Sequence, residues 1–339
     1  MGSRIGYGKT RKNIVKILVT GGAGFIGHAV VAKLEKQGHD VCILDNFTNY
    51  GIIPEQEITA LHAERLDQLK TKSVHRVDIR DFHAVSQVFE ECLPDVVIHC
   101  AAFPRAKVVD MNPMEGCSVL TGGLVNLLRA CERWRVRRFV YLSSSMVYGD
   151  FTLMGYEDMK CTPKGIYGIL KLAGEDLTRD HCERADIDYV ILRPSAVYGP
   201  LDVEDRVVSK FLTAAMHNRE ITVCGADERL DFTYVDDCVR GIVRAANSFN
   251  SSGRTYNITR GSGRTLLEAA ELAVSIAGKG RIKIANSNPN FPSRGTLSNV
   301  RAGQDFGYHG RIDIEQGFKQ YYDWLYSSFL RNTTPVSNP

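Results

Sequence analysis

The chain of 339 residues has a formal net charge of +3, with 44% hydrophobic and 24% charged residues. This charge gives no support to nucleic acid or a membrane surface as a partner, and no apolar run reaches the roughly 18 residues of a membrane span or resembles a signal-peptide core. The length predicts a large core divided between two lobes. The nine cysteines are scattered without Cys-x-x-Cys pairs. They predict reduced core residues in a cytoplasmic protein, with no disulfide framework and no metal.

A glycine-rich turn follows the first predicted strand, which covers residues 16–20. The turn and the start of the helical pattern after it contain Gly21, Gly24, Phe25, Ile26 and Gly27. Such a turn brings bare backbone N–H groups and a helix N-terminus up to a diphosphate. Glycine is needed because a Cβ would block the approach or forbid the backbone angles. An ordinary strand–helix turn is the alternative, and later residues decide between the two.

An acidic residue, Asp45, ends the second apolar run at residues 41–44. In a dinucleotide-binding unit an acid at this place accepts hydrogen bonds from the ribose hydroxyls of adenosine and repels a 2′-phosphate. The sequence therefore predicts NAD as the cofactor in preference to NADP, and it favours the dinucleotide turn over the ordinary one.

Further strands are predicted at 74–77, 96–100 and 139–142, with a long helix at 113–129. Strands that alternate with helices at this spacing predict an α/β fold with a doubly wound parallel sheet of Rossmann type and right-handed crossovers. Ligands of such sheets bind beyond the carboxyl ends of the strands. The glycines, Asp45 and the residues after each later strand all fall at those ends.

Two short segments at these strand ends suit a dinucleotide. Asp78 and Ile79 are placed to bond the amino group of an adenine and to pack against its face, although without context a strand end with a helix cap explains them better. Ala101 and Ala102 are small, which leaves room for a pyrophosphate and the nicotinamide ribose.

A serine cluster and a Tyr-x-x-x-Lys pair carry the predicted chemistry. Ser143, Ser144 and Ser145 follow the fifth strand, and Tyr167 and Lys171 lie on one face of a helix because they are four residues apart. A free tyrosine titrates near pH 10, so it needs an adjacent positive charge to exchange a proton near neutral pH. A serine hydroxyl opposite can orient the same substrate oxygen. A solvent-facing helix pair is the alternative interpretation.

These residues belong to a longer set of motifs. They are TGGAGFIG (20–27), DN (45–46), DI (78–79), HCAA (99–102), SSSMVYG (143–149), Tyr167-x-x-x-Lys171 with Glu175, LRPSAVYGP (192–200) and YVDD (234–237). Over roughly residues 14–328 the chain resembles the extended short-chain dehydrogenase/reductase family, and within it the NAD-dependent nucleotide-sugar epimerase/dehydratase group.

The resemblance implies a catalytic set of Ser144, Tyr167 and Lys171. Tyr167 would take a proton from a sugar hydroxyl while hydride passes to the nicotinamide. In epimerases of this type a transient 4-keto sugar takes the hydride back on its other face, so NAD is recycled within each turnover. The resemblance adds Asn46, Ser143 and Pro194 to the cofactor-binding residues.

The resemblance also implies substrate-binding residues. Arg294 matches a family arginine that contacts the diphosphate, whereas Arg229 stands one residue before the place of another, which Leu230 occupies. The further candidates are Arg105 and Lys107, on the loop after the fourth strand, with Ser145 and Ser195. A surface position is the alternative for each arginine.

Two departures from the family pattern narrow the expectations. Ser145 and Met146 stand where dehydratases and decarboxylases of the family carry acidic residues, so elimination of water and decarboxylation lose support. Leu120 replaces a family asparagine, which puts the local helix kink there in doubt.

The predicted organisation is a flexible basic tail (1–13), an NAD-binding Rossmann domain (14–200), a smaller α/β lobe (201–330) and a disordered tail (331–339). The lobe mainly binds the nucleotide sugar, with part of it returning to the first domain. By resemblance the protein forms a homodimer. A net NAD(P)-dependent oxidoreductase acting on a keto sugar or small alcohol is the nearest alternative, and a non-catalytic NAD-sensing protein is a further one.

Overall fold

The computed structural model describes residues 14–333 apart from 49, 52, 104–105, 204 and 288–291, and it describes no side chains for 331–333. The predicted basic tail, Arg105 and residues 334–339 lie outside the described residues. Within the described ranges, no helix has the length and apolar character needed to cross a membrane.

Thirteen strands are described. They are β1 (Lys16–Thr20), β2 (Asp40–Asp45), β3 (Val74–Arg76), β4 (Val96–His99), β5 (Arg138–Leu142), β6 (Asp188–Pro194), β7 (Val197–Tyr198), β8 (Glu220–Cys224), β9 (Arg229–Leu230), β10 (Thr233–Tyr234), β11 (Arg254–Ile258), β12 (Arg264–Thr265) and β13 (Arg281–Ala285).

The described helices are α1 (Phe25–Gln37), α2 (Glu55–Asp67), α3 (Phe82–Cys92), α4 (Ala106–Met111), α5 (Pro113–Cys117), α6 (Leu124–Arg133), α7 (Gly165–Arg184), α8 (Val207–Met216), α9 (Val235–Asn247), α10 (Leu266–Ala277), α11 (Val300–Phe306) and α12 (Ile314–Thr333). Short 3₁₀ turns lie at Ser145–Tyr148 and Phe249–Ser251. Helix α12 includes residues 331–333, which the sequence had assigned to the tail.

Seven parallel strands form the central sheet, in the order β3-β2-β1-β4-β5-β6-β11. Thr20 at the end of β1 lies opposite Leu44 and His99, so the carboxyl ends of β1, β2 and β4 meet at one edge. The strand order reverses between β1 and β4, which is where such sheets open a crevice for a ligand. The prediction of a doubly wound, Rossmann-type sheet is confirmed.

The alternation of side chains along β1 explains the two-sided packing. Ile17 and Val19 contribute to a core that contains residues of α1 and α9, whereas Leu18 contributes to the opposite core, with residues of α3 and α6. Successive side chains of a strand point to opposite faces, so a strand covered on both faces is apolar throughout.

Three two-stranded pairings lie outside the central sheet: β7 with β10, β8 with β13, and β9 with β12. Helices α8, α10 and α12 pack together, and these helices with β8, β9, β12 and β13 are called the second lobe. Strand β11 then returns to the central sheet, where Asn257 lies opposite Arg193 of β6.

The helix predicted at 113–129 is interrupted. Helix α5 passes into a wider π-type turn at Ser118–Gly123, and α6 begins at Leu124. The Thr121 hydroxyl donates to the Cys117 carbonyl at 2.6 Å within this segment. An irregular turn is therefore present even though Leu120 replaces the family asparagine, and the doubt raised by that replacement is not supported.

Candidate active site

A cavity of about 640 Å³ lies at the carboxyl edge of the central sheet. Its walls come from the glycine turn, from the segments after β2, β3, β4, β5 and β6, from the start of α7 and from the second lobe. It brings together the predicted cofactor residues Gly21, Gly24, Phe25, Ile26, Gly27, Asp45, Asn46, Asp78, Ile79, Ala101, Ala102, Ser143, Tyr167, Lys171 and Pro194. It also contains Ser144 and three predicted substrate residues, Lys107, Ser145 and Arg294.

The glycine turn is packed too closely for side chains. Gly21 has φ +70°, and a Cβ there would lie 2.5 Å from the Ala101 nitrogen, while a Cβ on Gly27 would overlap the Gly21 carbonyl oxygen. Gly24 precedes α1, and the N-terminus of this helix has no capping side chain among the residues that the structure describes. Backbone N–H groups without a capping side chain, next to a cavity, suit the diphosphate of a dinucleotide.

Asp45 is fixed by two backbone hydrogen bonds. Its Oδ2 accepts from the Ala23 N–H at 2.9 Å and its Oδ1 from the Phe47 N–H at 2.8 Å. Burial raises the pKa of Asp45, and these two donors oppose the shift. The acid is thereby held at the wall of the cavity beside the glycine turn.

Asp78, at the far end of the cavity, already has side-chain partners. Its carboxylate accepts from the Arg80 guanidinium at 2.7 Å and from the Asn46 amide at 3.1 Å. Burial acts to raise the pKa of Asp78, but the hydrogen bonds from Arg80 and Asn46 outweigh it and lower the pKa.

Ser144, Tyr167 and Lys171 all reach the cavity. The Lys171 ammonium donates to the Leu142 carbonyl at 2.7 Å and lies 6.0 Å from the centre of the Tyr167 ring. Burial lowers the pKa of Lys171 to about 8, with Cys100 and Glu175 acting against the shift. Burial raises the pKa of Tyr167, opposed by the charge of Arg206 and by a hydrogen bond with Ser144.

A buried ion pair between Glu175 and Arg193 lies next to the serine cluster. Glu175 is fully buried and accepts from the Ser143 hydroxyl at 2.5 Å. It also accepts two bonds from Arg193, at 2.8 and 2.7 Å, and one from Arg179 at 2.8 Å. Since Ser143 is the neighbour of Ser144, this network restrains the backbone that places Ser144 in the cavity.

Arg294 lines the cavity on the side of the second lobe. Its Nη1 donates to the Ser145 hydroxyl at 3.0 Å, while its buried Nε has no hydrogen-bond partner among the described residues. Burial lowers the pKa of Arg294 to about 10, and Glu228 acts in the opposite direction. A buried guanidinium with an unmade hydrogen bond is suited to an anionic ligand.

Two predicted substrate residues lie elsewhere. Ser195 is buried and is absent from the cavity lining among the described residues. Arg229 is exposed and donates to the Gly263 carbonyl at 3.3 Å, next to the pairing of β9 with β12. The neighbouring Leu230 lines the cavity instead, because side chains alternate along a strand.

Several lining residues were missed by the sequence reasoning. They include Tyr50, His62, Arg65, Asp202, Arg206 and Lys210. None belongs to a motif with fixed spacing, and each reaches the cavity through tertiary packing. The one sequence feature that could have pointed to Arg206 is its position directly before the apolar residues that begin α8.

The sheet, the uncapped glycine turn and the Ser–Tyr–Lys set at one edge define an NAD-dependent enzyme of the extended short-chain dehydrogenase/reductase class. The family model described as the NAD-dependent epimerase/dehydratase family matches residues 17–259. The chain belongs to this family, which confirms the resemblance and the expected cofactor, NAD.

The comparisons also show individual relatives. UDP-glucuronate 4-epimerase 1 of Arabidopsis thaliana is 28% identical over 95% of this chain and 79% of its own length. The UDP-glucuronic acid 4-epimerase of Bacillus cereus, solved with UDP-glucuronic acid and NAD, has a TM-score of 0.83 and 28% identity, covering 92% of this chain and 99% of that one. The UDP-glucose 4-epimerase of Thermus thermophilus, solved with NAD, has a TM-score of 0.81 and 27% identity, covering 92% and 99%.

Proposed function

We propose that this protein is an NAD-dependent nucleotide-sugar 4-epimerase that acts through a transient 4-keto sugar. The observation that carries the proposal is the convergence of Ser144, Tyr167 and Lys171 on the cavity that also contains the uncapped glycine turn. Relatives named as 4-epimerases of UDP-glucuronate or UDP-glucuronic acid, which match more than nine-tenths of this chain, support the same activity.

The proton chemistry is assigned to Tyr167. Its phenolate takes the proton from the sugar 4-hydroxyl, while Ser144 holds the same oxygen in place. Burial raises the pKa of Tyr167, and the charge of Arg206 and a hydrogen bond with Ser144 oppose that rise. The Lys171 ammonium, 6.0 Å from the centre of the Tyr167 ring, adds positive charge that stabilises the phenolate. NAD held against the glycine turn would supply the hydride acceptor for oxidation at the sugar C4 and the hydride donor for the reduction that follows.

The substrate is oriented by the second half of the cavity. Arg294 binds the diphosphate through its guanidinium, whose Nε lacks a hydrogen-bond partner in the described part of the chain. Lys107 and Ser145 line the same region and contribute to the diphosphate or the sugar. Neither Ser145 nor Met146, which follow Ser144, exchanges a proton at neutral pH, which favours epimerisation over loss of water or carbon dioxide.

Two further features of the protein are part of the proposal. We expect a cytoplasmic protein, because the cysteines of the described residues are all free. We expect a homodimer formed through α6 and α7, which pack against each other and leave the apolar Val125 and Ile169 exposed. Light scattering during gel filtration measures the mass of the assembly, and a monomeric mass would reject the dimer.

The activity is tested with purified protein and a panel of UDP-, GDP-, CDP- and dTDP-sugars, without added cofactor. Products are identified by NMR while absorbance near 340 nm is recorded. An isomerised sugar with no net change in absorbance supports the epimerase and names its substrate. Turnover only with added NAD(P)H would make the protein a reductase, and no change with any sugar would reject the proposal.

Variants locate the chemistry. Tyr167→Phe is expected to lower kcat by at least about 100-fold, because it removes the proton-transferring hydroxyl. Tyr156→Phe is the matched control, since Tyr156 is exposed and outside the cavity lining. Equal kcat values for the two variants would show that the Tyr167 hydroxyl does not transfer the proton.

A further inference from the structure

Arg65, on α2, bridges the two halves of the site. Its side chain is almost fully buried, with 2% of its surface exposed, and it lines the cavity. The Nη1 donates to the Ala23 carbonyl at 3.0 Å, in the glycine turn. The Nη2 and Nε donate to the Leu201 carbonyl at 2.7 and 3.2 Å, where the chain enters the second lobe.

The charge of Arg65 is held in place by carbonyl groups. Within the described part of the chain, the Arg65 guanidinium forms no ion pair with a side chain, unlike Arg80, which pairs with Asp78, and Arg206, which pairs with Asp202. Burial lowers the pKa of Arg65 to about 10, and the charges of Asp202 and Asp45 oppose the shift. A buried guanidinium costs desolvation energy, so an anion bound at the adjoining glycine turn stabilises it.

The carbonyl that Arg65 holds leads directly to residues on the substrate side. Asp202 follows Leu201 and pairs with the Nε of Arg206 at 3.1 Å. Arg206 precedes α8, lines the cavity, and acts on Tyr167 through its charge. Contacts therefore link the glycine turn through Arg65 and Leu201 to the pair of Asp202 and Arg206, and the charge of Arg206 acts on Tyr167.

We propose that Arg65 is a positioning residue that couples cofactor binding to the order of Leu201, Asp202 and Arg206. The diphosphate of NAD compensates the buried charge and so strengthens the hold of Arg65 on both carbonyls. Because coupling between two sites is reciprocal, substrate in the second lobe also tightens NAD binding. The inference rests on NAD as the cofactor and is independent of which sugar the enzyme converts.

Hydrogen–deuterium exchange on the full-length protein, freed of nucleotide and then saturated with NAD, tests this coupling. In the unmodified protein NAD is expected to slow exchange in two peptides, one covering the glycine turn and one covering Leu201 to Arg206. Arg65→Gln is expected to keep the first protection and lose the second. It is also expected to weaken NAD binding by about 5- to 150-fold, the usual range of coupling between sites.

Two variants separate coupling from stability. Arg138→Gln removes another buried arginine, which donates to the Ala246 and Ser248 carbonyls at 2.7 Å and lies outside the cavity lining. It is expected to lower stability and to keep both NAD-induced protections. Arg65→Lys keeps the charge without the planar fork, so it should bind NAD better than Arg65→Gln yet still lose the protection at Leu201.

If Arg65→Gln does not fold, NAD-induced protection measured in the unmodified protein and in Arg65→Lys still tests the proposal. Lack of NAD-induced protection from Leu201 to Arg206 in the unmodified protein would overturn the proposal. Full protection there in either Arg65 variant at saturating NAD would do the same. Failure of the epimerase assay with intact NAD-induced protection would reject the proposed activity alone.

Discussion

Replacement of Glu175 by glutamine tests whether the ion pair behind the serine cluster stabilises the fold. Glu175 is fully buried, and it accepts four hydrogen bonds from Ser143, Arg193 and Arg179. Glutamine keeps the shape but removes the negative charge, which leaves the buried Arg193 without its carboxylate. It also turns one oxygen into an N–H group that faces other donors.

The expected cost follows from that geometry. Breaking a buried pair from one side typically costs about 3–5 kcal/mol, because the remaining charge stays desolvated. Urea unfolding of the holoenzyme measures the change. Asp176→Asn is the matched control, because Asp176 is exposed and pairs with the same Arg179 at the surface, where a loss of under about 1 kcal/mol is expected. A decrease of less than about 1 kcal/mol in the free energy of unfolding of Glu175→Gln would refute this expectation, because water or a local rearrangement would then compensate the buried charge of Arg193.

Three other outcomes are expected. Gly27→Ala should purify with little bound NAD, measured from nucleotide absorbance, because the added Cβ overlaps the Gly21 carbonyl oxygen. Gly122→Ala is the control and should retain NAD, because its added Cβ meets nothing within 4 Å. Asp45→Asn should reduce the preference for NAD over NADP in equilibrium binding, and an unchanged ratio would count against its role. The pKa of Lys171 is lowered to about 8 in the folded protein, from the ordinary lysine value of about 10 in the unfolded chain. Between these two pH values the unfolded state binds more protons than the folded state. The free energy of unfolding should therefore rise from about pH 8 to about pH 10. Lys171→Met should remove that rise, of about 1–3 kcal/mol, in urea unfolding at the two pH values.

The cofactor half of the site could be predicted because its signals are local. A strand, its glycine turn and the following helix are adjacent in sequence, and the carboxyl ends of parallel strands necessarily meet at one edge. Gly27, Asp45 and Ala101 were therefore placed together without knowledge of the structure. Helical spacing placed Tyr167 and Lys171 on one face of a helix, and the family resemblance implied their catalytic role.

The substrate half was less predictable for the opposite reason. Arg65 reaches the cavity from α2 because Ala23 and Leu201, which are distant in sequence, both accept from its guanidinium. No short-range pattern marks such a contact. Arg229 had a motif in its favour, but the side-chain alternation of its short strand places Leu230 towards the cavity.

The return of β11 to the central sheet also affects how the chain folds. The entire second-lobe segment between β6 and β11 must be synthesised before Asn257 can pair opposite Arg193, so this contact has high contact order and forms late. Until then β6 presents an unpaired edge of the sheet, a known template for association with other chains. A chain that ends before Arg254 would keep that edge open, and we expect it to aggregate even though it contains every residue of the glycine turn.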